Sequence, residues 1–283
     1  MSDDLIGIFL GVFHLQAVEL QVMSAGAVEP GLVLAVAQYT KTSGHQVKIR
    51  LGTAPQLSRL LADQPVADLL IAPVSLINEQ IHIGTLVTEK GVLIGKVGAG
   101  VTVRKALKSP QISTVESFKA ALLQADSLVY NQASTGNYLA KLFEKLGMSE
   151  QLQGKTKRFV NGDLVMEQVI HGTGNEIGFG AITEIKMFES KGLKYVGPLP
   201  RELQNYTTYS AGVMKSAKYP NEARDFLAFL DVDDWWEPNK LDEQIKLFTD
   251  FNLLFKNKKV LPSTYSFKNP SSSGFTSLNF GTN

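Results

Sequence analysis

Short apolar runs alternate with stretches of helical period from about residue 20 to residue 230. Turn-forming residues follow most of these runs. Amphipathic stretches come next, in which apolar positions recur about every 3.6 residues. The predicted strands are Leu20–Ser24, Gln46–Leu51, Asp68–Ile71, Gly91–Val103, Ser127–Tyr130, Glu176–Phe179, Lys194–Val196 and Tyr206–Met214. Strands that alternate with helices are typical of proteins built on mostly parallel sheets. The pattern therefore predicts an α/β fold.

One helix start is well specified by the sequence. Ser113 and Glu116 have the spacing of a capping box, in which each side chain bonds the other residue's backbone N–H. Val115, Phe118 and Leu122 then fall on one face of a helix. We expect a helix to begin directly after Ser113.

Two predicted strands, Gly91–Val103 and Tyr206–Met214, are longer than the strands usual for one sheet. A strand that leaves one lobe and enters another would have this length. The lobe between the two strands would then be an insertion into the other lobe. A single doubly wound sheet with two long strands is the alternative, and periodicity leaves both open.

The chain is accordingly divided into four parts. Its predicted parts are a degenerate leader at 1–18, a discontinuous lobe 1 at 19–97 plus 205–255, lobe 2 at 98–204 and a flexible tail at 256–283. The apolar run Leu5–Phe13 has the length of a signal-peptide core, but Asp3 and Asp4 stand where a secretory leader is basic. An ordinary buried segment leading into the first strand explains this run equally well. The tail is rich in polar residues and is predicted to stay flexible.

Composition narrows the classes of partner. The 28 Lys and Arg residues and 27 Asp and Glu residues give a net charge of +1, which provides no global field for nucleic acid. The chain has no cysteine, which excludes disulfides, thiolate metal sites and a cysteine nucleophile. A charged ligand must therefore be bound by polar or charged groups at its own site.

Four loop-to-helix junctions are candidates for binding an anion, because backbone N–H groups and the positive end of the helix dipole meet there. The junctions are Ser24–Gly31, Gly52–Pro55, Asn131–Asn137 and Asn161–Asp163. Each one alone is explained by ordinary N-capping. Together they follow predicted strands, and ligands of open α/β sheets bind where strands end. The candidate ligand-binding residues are Ser24, Ala25, Gly26, Thr53, Ser134, Thr135, Gly136, Asn137 and Asp163.

Motifs of enzymes and cofactor sites are missing. Gly95, Gly98 and Gly100 lack the spacing of a dinucleotide fingerprint, and no phosphate-binding loop, nucleophile elbow or zinc-binding histidine pair occurs. The scattered histidines are His14, His45, His82 and His171. We therefore expect no cofactor and no metal, and catalysis is the less favoured reading.

Several stretches together resemble a known family. They are Leu20–Ala27, Leu51–Ile71, Gly98–Val103, Ile112–Leu122, Ala133–Gly147 and Tyr206–Val213. In this order they resemble the type II periplasmic solute-binding proteins, and the molybdate-binding branch in particular, over about Leu20 to Leu230. The resemblance implies two α/β lobes, each a mixed, mostly parallel sheet flanked by helices, joined by two crossing strands. It also implies a monomer in the periplasm that delivers its ligand to an ABC-type membrane transporter.

Two residues depart from the molybdate-binding pattern. Ala27 and Ala181 stand where those proteins carry a ligand serine and a ligand tyrosine. The expected ligand is therefore a small anion, either an oxyanion or an organic carboxylate, clamped between the lobes. The sequence also resembles aconitate isomerase, so an isomerase acting on a small tricarboxylate is the alternative, with Glu29, Asp163 and Tyr206 as acid-base candidates. A scaffold that has lost its ligand is a third reading.

Overall fold

The computed structural model describes residues 17–63, 65–87, 89–230, 264–268 and 275–279. The strands are β1 (Glu19–Ala25), β2 (Gln46–Gly52), β3 (Leu69–Pro73), β4 (Val92–Arg104), β5 (Ser127–Asn131), β6 (Thr156–Phe159), β7 (Glu176–Ala181), β8 (Leu193–Pro198), β9 (Tyr206–Val213), β10 (Thr264–Lys268) and β11 (Phe275–Asn279). The helices are α1 (Glu29–Ser43), α2 (Ala54–Ala62), α3 (Val74–His82), α4 (Val115–Gln124), α5 (Ser134–Lys145), α6 (Ser149–Gln153), α7 (Gly162–His171), α8 (Ile182–Phe188) and α9 (Pro220–Leu230). All the predicted strands are confirmed, with bounds shifted by no more than two residues.

One strand of the main sheet, β6, was missed by the sequence analysis, as were β10 and β11 farther along the chain. Strand β6 spans only Thr156–Phe159, and none of its residues is fully buried. A short strand at the edge of a sheet needs no apolar run, so hydrophobic periodicity has nothing to detect.

The predicted start of α4 is wrong by one residue. Thr114, not Ser113, is the N-cap, and its Oγ1 accepts a 3.1 Å hydrogen bond from the Ser117 N–H. The Ser117 hydroxyl bonds the Thr114 N–H in return, at 3.1 Å. A serine thus does what a glutamate was predicted to do, because its hydroxyl also accepts a hydrogen bond.

The main sheet runs in the order β2-β1-β3-β9-β4-β7-β5-β6, with β8 also paired to β4. The pairs β1–β2 and β1–β3 are parallel, as are β5–β6 and β5–β7. Strand β4 pairs with β9 from Val92 to Gly98, and it pairs with β7 and β8 from Ala99 onward. Strand β4 therefore crosses from one part of the sheet to the other, with β9 paired along its first half. The architecture is the predicted two-lobed α/β fold.

Separate apolar cores lie on the two sides of this crossing. One contains Leu57, Ile71 and Phe226, each with at most 1% of its surface exposed. On the other side Phe118, Tyr130 and Phe143 pack edge-on around Phe179, with ring centroids 6.1–6.5 Å apart. Each buried side chain of this size stabilises the fold by about 1.5–3 kcal/mol. Because each lobe has its own core, the surfaces between the lobes are free to line a cleft.

The side chain of Asp68 ties three segments together at the amino end of β3, away from the cleft. It is 1% exposed, and its Oδ2 accepts a 2.8 Å hydrogen bond from the backbone N–H of Gln21 in β1. Its Oδ1 accepts a 3.0 Å hydrogen bond from the backbone N–H of Tyr219, just before α9. The carboxylate therefore links lobe 1's central strands to the helix that follows β9.

Several predicted segments lie largely outside the described residues. The predicted leader at 1–18 is described only at Ala17 and Val18, and residues 231–255 of the predicted lobe 1 are not described. Within the predicted tail, β10 and β11 pair as an antiparallel two-stranded sheet, and the remaining tail residues lie outside the described part. No helix among the described residues is both long and apolar enough to cross a membrane.

Candidate ligand-binding cleft

A cleft of about 160 Å³ lies between the lobes, where the strands end. Because the strands of each lobe's parallel set point the same way, the loops after them converge at one edge. The lining residues are Ala25, Gly26, Ala27, Glu29, Leu51, Gly52, Thr53, Ala54, Gln56, Pro73, Asn131, Ala133, Ser134, Thr135, Asn161, Gly162, Asp163, Ala181, Glu184, Met187, Phe188 and Tyr209. All four junctions singled out in the sequence contribute to this cleft.

Six of the nine candidate residues line the cleft directly. They are Ala25, Gly26, Thr53, Ser134, Thr135 and Asp163. Ala27 and Ala181, the positions that depart from the molybdate-binding pattern, line it as well. At these two positions the side chains that line the cleft are therefore smaller and less polar than the serine and tyrosine of the molybdate-binding pattern.

The other three candidates lie behind or beside the cleft. Ser24 is fully buried, and its hydroxyl donates to the Ala25 carbonyl oxygen at 3.3 Å. Gly136 lies in the first turn of α5, where its N–H donates to Asn131 Oδ1 at 3.1 Å. Asn137 Oδ1 accepts a 2.7 Å hydrogen bond from Arg158 Nη2. These residues hold the loops in place. The Ser24 hydroxyl and the Asn137 Oδ1 already bond other protein groups.

A second chamber of about 250 Å³ adjoins the cleft between α2, α3 and α5. Its lining residues are Ala54, Pro55, Ser58, Ser75, Leu76, Glu79, Ala133, Ser134 and Asn137. Ala54, Ala133 and Ser134 line both spaces. The space between the lobes is thus elongated rather than a single round pocket.

Three helical segments begin at the cleft with an alanine N-cap. Ala25 precedes the 3-10 turn that leads into α1, Ala133 precedes α5, and Ala181 precedes α8, all without a side-chain cap hydrogen bond. Alanine is among the poorest N-cap residues, because it offers no acceptor to the first-turn N–H groups. At α2 and α7, by contrast, Thr53 and Asn161 cap the helix with their own side chains. The starts at Ala25 and Ala133 leave first-turn N–H groups for a ligand, apart from that of Gly136, which bonds Asn131 Oδ1. At the third start the Ala181 N–H bonds Glu184.

Three carboxylates also line the cleft: Glu29, Asp163 and Glu184. The pKa of Glu184 is raised to about 7, mainly by burial and then by the charge of Asp163. The Ala181 N–H lowers it, and the charge of Glu29 raises it. The pKa of Glu29 is also raised, mainly by burial and then by the charge of Asp163, while the charge of Lys191 lowers it. The described residues that line the cleft include no lysine, arginine or histidine. The side-chain charge of the cleft is therefore negative.

Glu184 is the residue that the sequence analysis missed. It is the third residue of α8, and it lies between two glycine loops: a Cβ atom on Gly162 would be 2.5 Å from Glu184 Oε2, and one on Gly26 would be 3.4 Å from Oε1. A glutamate three residues after a strand-ending alanine has the spacing of the returning half of a capping box. That spacing could have drawn attention to it.

The neighbouring Thr183 fixes this turn against the other lobe. Its Oγ1 donates a buried 2.6 Å hydrogen bond to the Ala27 carbonyl oxygen, across a separation of 156 residues. The start of α8 is thereby held beside the start of α1. Glu184 consequently faces Glu29 and Asp163 from a fixed position.

Of the three acid-base candidates, Glu29 and Asp163 line the cleft, whereas Tyr206 is 61% exposed and does not line it. Tyr209, three residues further along β9 and so on the opposite face of the strand, lines the cleft and is 5% exposed. Burial raises the pKa of Tyr209 well above its ordinary value, and the charge of Glu184 raises it further. Tyr209 therefore stays protonated at any ordinary pH.

The Glu184→Gln variant is expected to be more stable than the wild type at pH 8. Because the pKa of Glu184 is about 7 in the folded protein and lower when unfolded, the wild type loses stability as pH rises from about 4.5 through 7. Glutamine has the same shape and no charge, so the gain should reach up to about 3 kcal/mol above pH 7 and vanish near pH 4.5. Urea unfolding at pH 5 and pH 8 measures it. An equal effect at both pH values would contradict the assigned cause.

Comparison with known proteins agrees with this architecture. The family model described as "Bacterial extracellular solute-binding protein" matches residues 20–234, which is most of the chain. The chain belongs to this family. Solved structures with a similar fold include binding proteins for molybdate, sulfate and thiamin.

Individual relatives are more distant. Aconitate isomerase from Pseudomonas sp. is 26% identical over 220 residues, which cover 75% of this chain and 81% of the isomerase. The periplasmic molybdate-binding protein of Azotobacter vinelandii superposes with a TM-score of 0.62 at 15% identity, covering 80% of this solute-binding protein and 97% of the other chain. The sulfate-binding protein of Mycobacterium tuberculosis gives 0.61 at 20% identity, with 84% and 91% covered. At these identities the structural likeness establishes the fold.

Proposed function

We propose that this solute-binding protein captures a small anionic solute between its lobes and presents it to an ABC-type membrane transporter. The observation that carries the proposal is the pair of alanine-capped starts at Ala25 and Ala133, which face one interlobe cleft. Backbone N–H groups left without a side-chain acceptor are suited to binding an anion. Family membership supports solute capture as the task.

The proposed lobes are 19–97 plus 205–255 and 98–204, with the hinge in β4 and β9. The change of pairing partner between Gly98 and Ala99 supports the first boundary. Closure around these two strands would replace the hydration shell of the anion with fixed donors. We also propose that the protein is a monomer in the periplasm, as its resemblance to the periplasmic solute-binding proteins implies.

We propose Thr53, Ser134 and Thr135 as the side chains that contact the anion, together with backbone groups at Ala25 and Gly26. All five line the cleft, and the first three carry hydroxyl groups. Ser24 and Gly136 support these loops from behind, and Asn137 supports them from the second chamber. Asp163 lines the cleft from the first turn of α7.

The test is a thermal-shift screen of the full chain with molybdate, sulfate, phosphate, citrate and both aconitate isomers. A ligand present at a hundred times its dissociation constant adds about 2.7 kcal/mol to the stability of the native state. Replacing Ser134 and Thr135 together with leucine should abolish the shift, because the leucines fill the anion site and remove both hydroxyls. The control is Ser149→Leu at the exposed start of α6. A double variant that keeps the shift would contradict the assignment of α5 to the site.

An isomerase is the second candidate, and Glu184 is the observation that favours it. A carboxyl group with a pKa of about 7 beside Glu29 and Asp163 is able both to accept and to donate a proton near neutral pH. The similarity to aconitate isomerase points the same way. Incubation with trans-aconitate in D₂O, followed by proton NMR, tests this activity. Absence of both the other isomer and deuterium exchange would exclude it, and a Glu184→Gln variant of equal activity would exclude Glu184 from the reaction.

A further inference from the structure

The helix starts around the cleft divide into two kinds. The first turns of α2 and α5 contain no acidic residue and present the hydroxyl groups of Thr53, Ser134 and Thr135. The first turns of α1, α7 and α8 each carry a carboxylate, namely Glu29, Asp163 and Glu184. We call the first set the hydroxyl wall and the second set the acidic wall. Each wall contains helices from both lobes.

An anion cannot use the two walls equally. At the acidic wall the Ala181 N–H already bonds the carboxylate of Glu184, so this helix start is occupied by the protein's own anion. Charges of like sign repel, and the repulsion is stronger in a partly buried cleft than in bulk water. A negative group is therefore accommodated at the hydroxyl wall and repelled at the acidic wall.

The protein supplies little positive charge to offset the acidic wall. Lys191, in the turn after α8, lowers the pKa of Glu29, but burial and Asp163 outweigh it. Its ammonium group lies 4.1 Å from the ring centroid of Phe188, and Lys191 does not line the cleft. The carboxylates thus face the cleft without a basic residue among its described lining.

The dimensions of the cleft give an independent indication of ligand size. The main space of about 160 Å³ continues into the chamber of about 250 Å³ along Ala54, Ala133 and Ser134. A tetrahedral oxyanion occupies only the volume of a few water molecules, each about 30 Å³ in the liquid. The two spaces together have room for an organic molecule with separated functional groups.

We infer that the ligand is a small dipolar organic molecule, with an anionic group bound at the hydroxyl wall and a protonated amine facing Glu29, Asp163 and Glu184. This inference rests on the proposed function and adds the substrate class. A protonated amine donates up to three hydrogen bonds and neutralises part of the acidic wall. The repulsion among the three carboxylates, which free protein must tolerate, is relieved when such a ligand binds.

The experiment compares probes that differ only in the amine. Taurine is paired with ethanesulfonate, and 2-aminoethylphosphonate with ethylphosphonate, by isothermal titration calorimetry of the full chain at pH 8. In each pair the amine-bearing probe is expected to bind at least about tenfold more tightly, the strength typical of a hydrogen bond between charged groups. Ethylammonium, which has the amine without the anion, should bind more weakly than taurine.

Two variants locate the effect. Glu184→Gln should reduce the preference for the amine by about tenfold, because it removes a carboxylate facing the ammonium group. Glu116→Gln is the matched control, since Glu116 is also in a helix first turn, at the exposed start of α4 and away from the cleft. Its preference for the amine should equal that of the wild type.

The outcomes separate this inference from the proposed function. Equal or tighter binding of ethanesulfonate and ethylphosphonate, or binding of sulfate and molybdate with neither aminated probe, would overturn the dipolar ligand and leave anion capture intact. Ethylammonium binding as tightly as taurine would overturn the anionic half and anion capture with it. Binding of none of these probes would contradict both.

Discussion

Replacing Gly136 with alanine is expected to lower the free energy of unfolding by about 3 kcal/mol and to abolish ligand binding. A Cβ atom at this position would lie 1.7 Å from the carbonyl oxygen of Asn131 and 2.8 Å from its Oδ1. The closest atom belongs to the backbone at the end of β5, so a side-chain rotation cannot relieve the overlap. The start of α5 would have to move away from the cleft, taking Ser134 and Thr135 with it.

The matched control is Gly154→Ala. A Cβ atom there has no neighbour within 4 Å, and the backbone φ of −67° suits alanine. This variant should be as stable as the wild type or slightly more so, by up to about 1 kcal/mol. Urea unfolding measures both stabilities, and the thermal-shift screen measures binding. A Gly136→Ala variant with wild-type stability and binding would show that the close approach of α5 to β5 is not needed.

Asp68→Ala is expected to lower the free energy of unfolding by about 2–5 kcal/mol, because it leaves two buried backbone N–H groups without an acceptor. Those groups belong to Gln21 and Tyr219, which the carboxylate bonds at 2.8 and 3.0 Å. The variant loses the hydrogen bonds to β1 and to the start of α9 at the same time, so both segments should be destabilised together. Chemical unfolding followed by far-UV circular dichroism measures it.

Asp63→Ala is the control for Asp68. Asp63 is exposed at the end of α2, and only its backbone N–H bonds the helix there. Its removal should change stability by no more than about 0.5 kcal/mol. Equal effects of the two variants would mean that the carboxylate of Asp68 contributes nothing beyond a surface charge.

The two-lobed architecture was predictable because its determinants are local in sequence. Gly91–Val103 is longer than one sheet requires, and the corresponding strand does change partners, from β9 to β7 and β8, near its middle. The helix junctions were predictable for the same reason, since a strand followed by small and polar residues indicates a helix start. Periodicity failed at β6, whose residues carry no alternation.

The acidic wall could not be predicted from the sequence. Glu29, Asp163 and Glu184 are separated by 134 and 21 positions along the chain, and each one alone resembles an ordinary first-turn carboxylate. Their mutual effect depends on distances that only the packing of α8 against the start of α1 creates, through the hydrogen bond from Thr183 to Ala27. Tyr209 illustrates the same limit, because the sequence offers Tyr206 with equal claim, and burial alone distinguishes the two.

The sequence by itself determined the α/β class, the crossing strands and the junctions from which the cleft is built, because apolar period and turn residues act over a few positions. The tertiary structure decided which of these junctions form the hydroxyl wall of the cleft and which form the acidic wall. Electrostatic interactions depend on distance and burial, and both arise only when the two lobes come together.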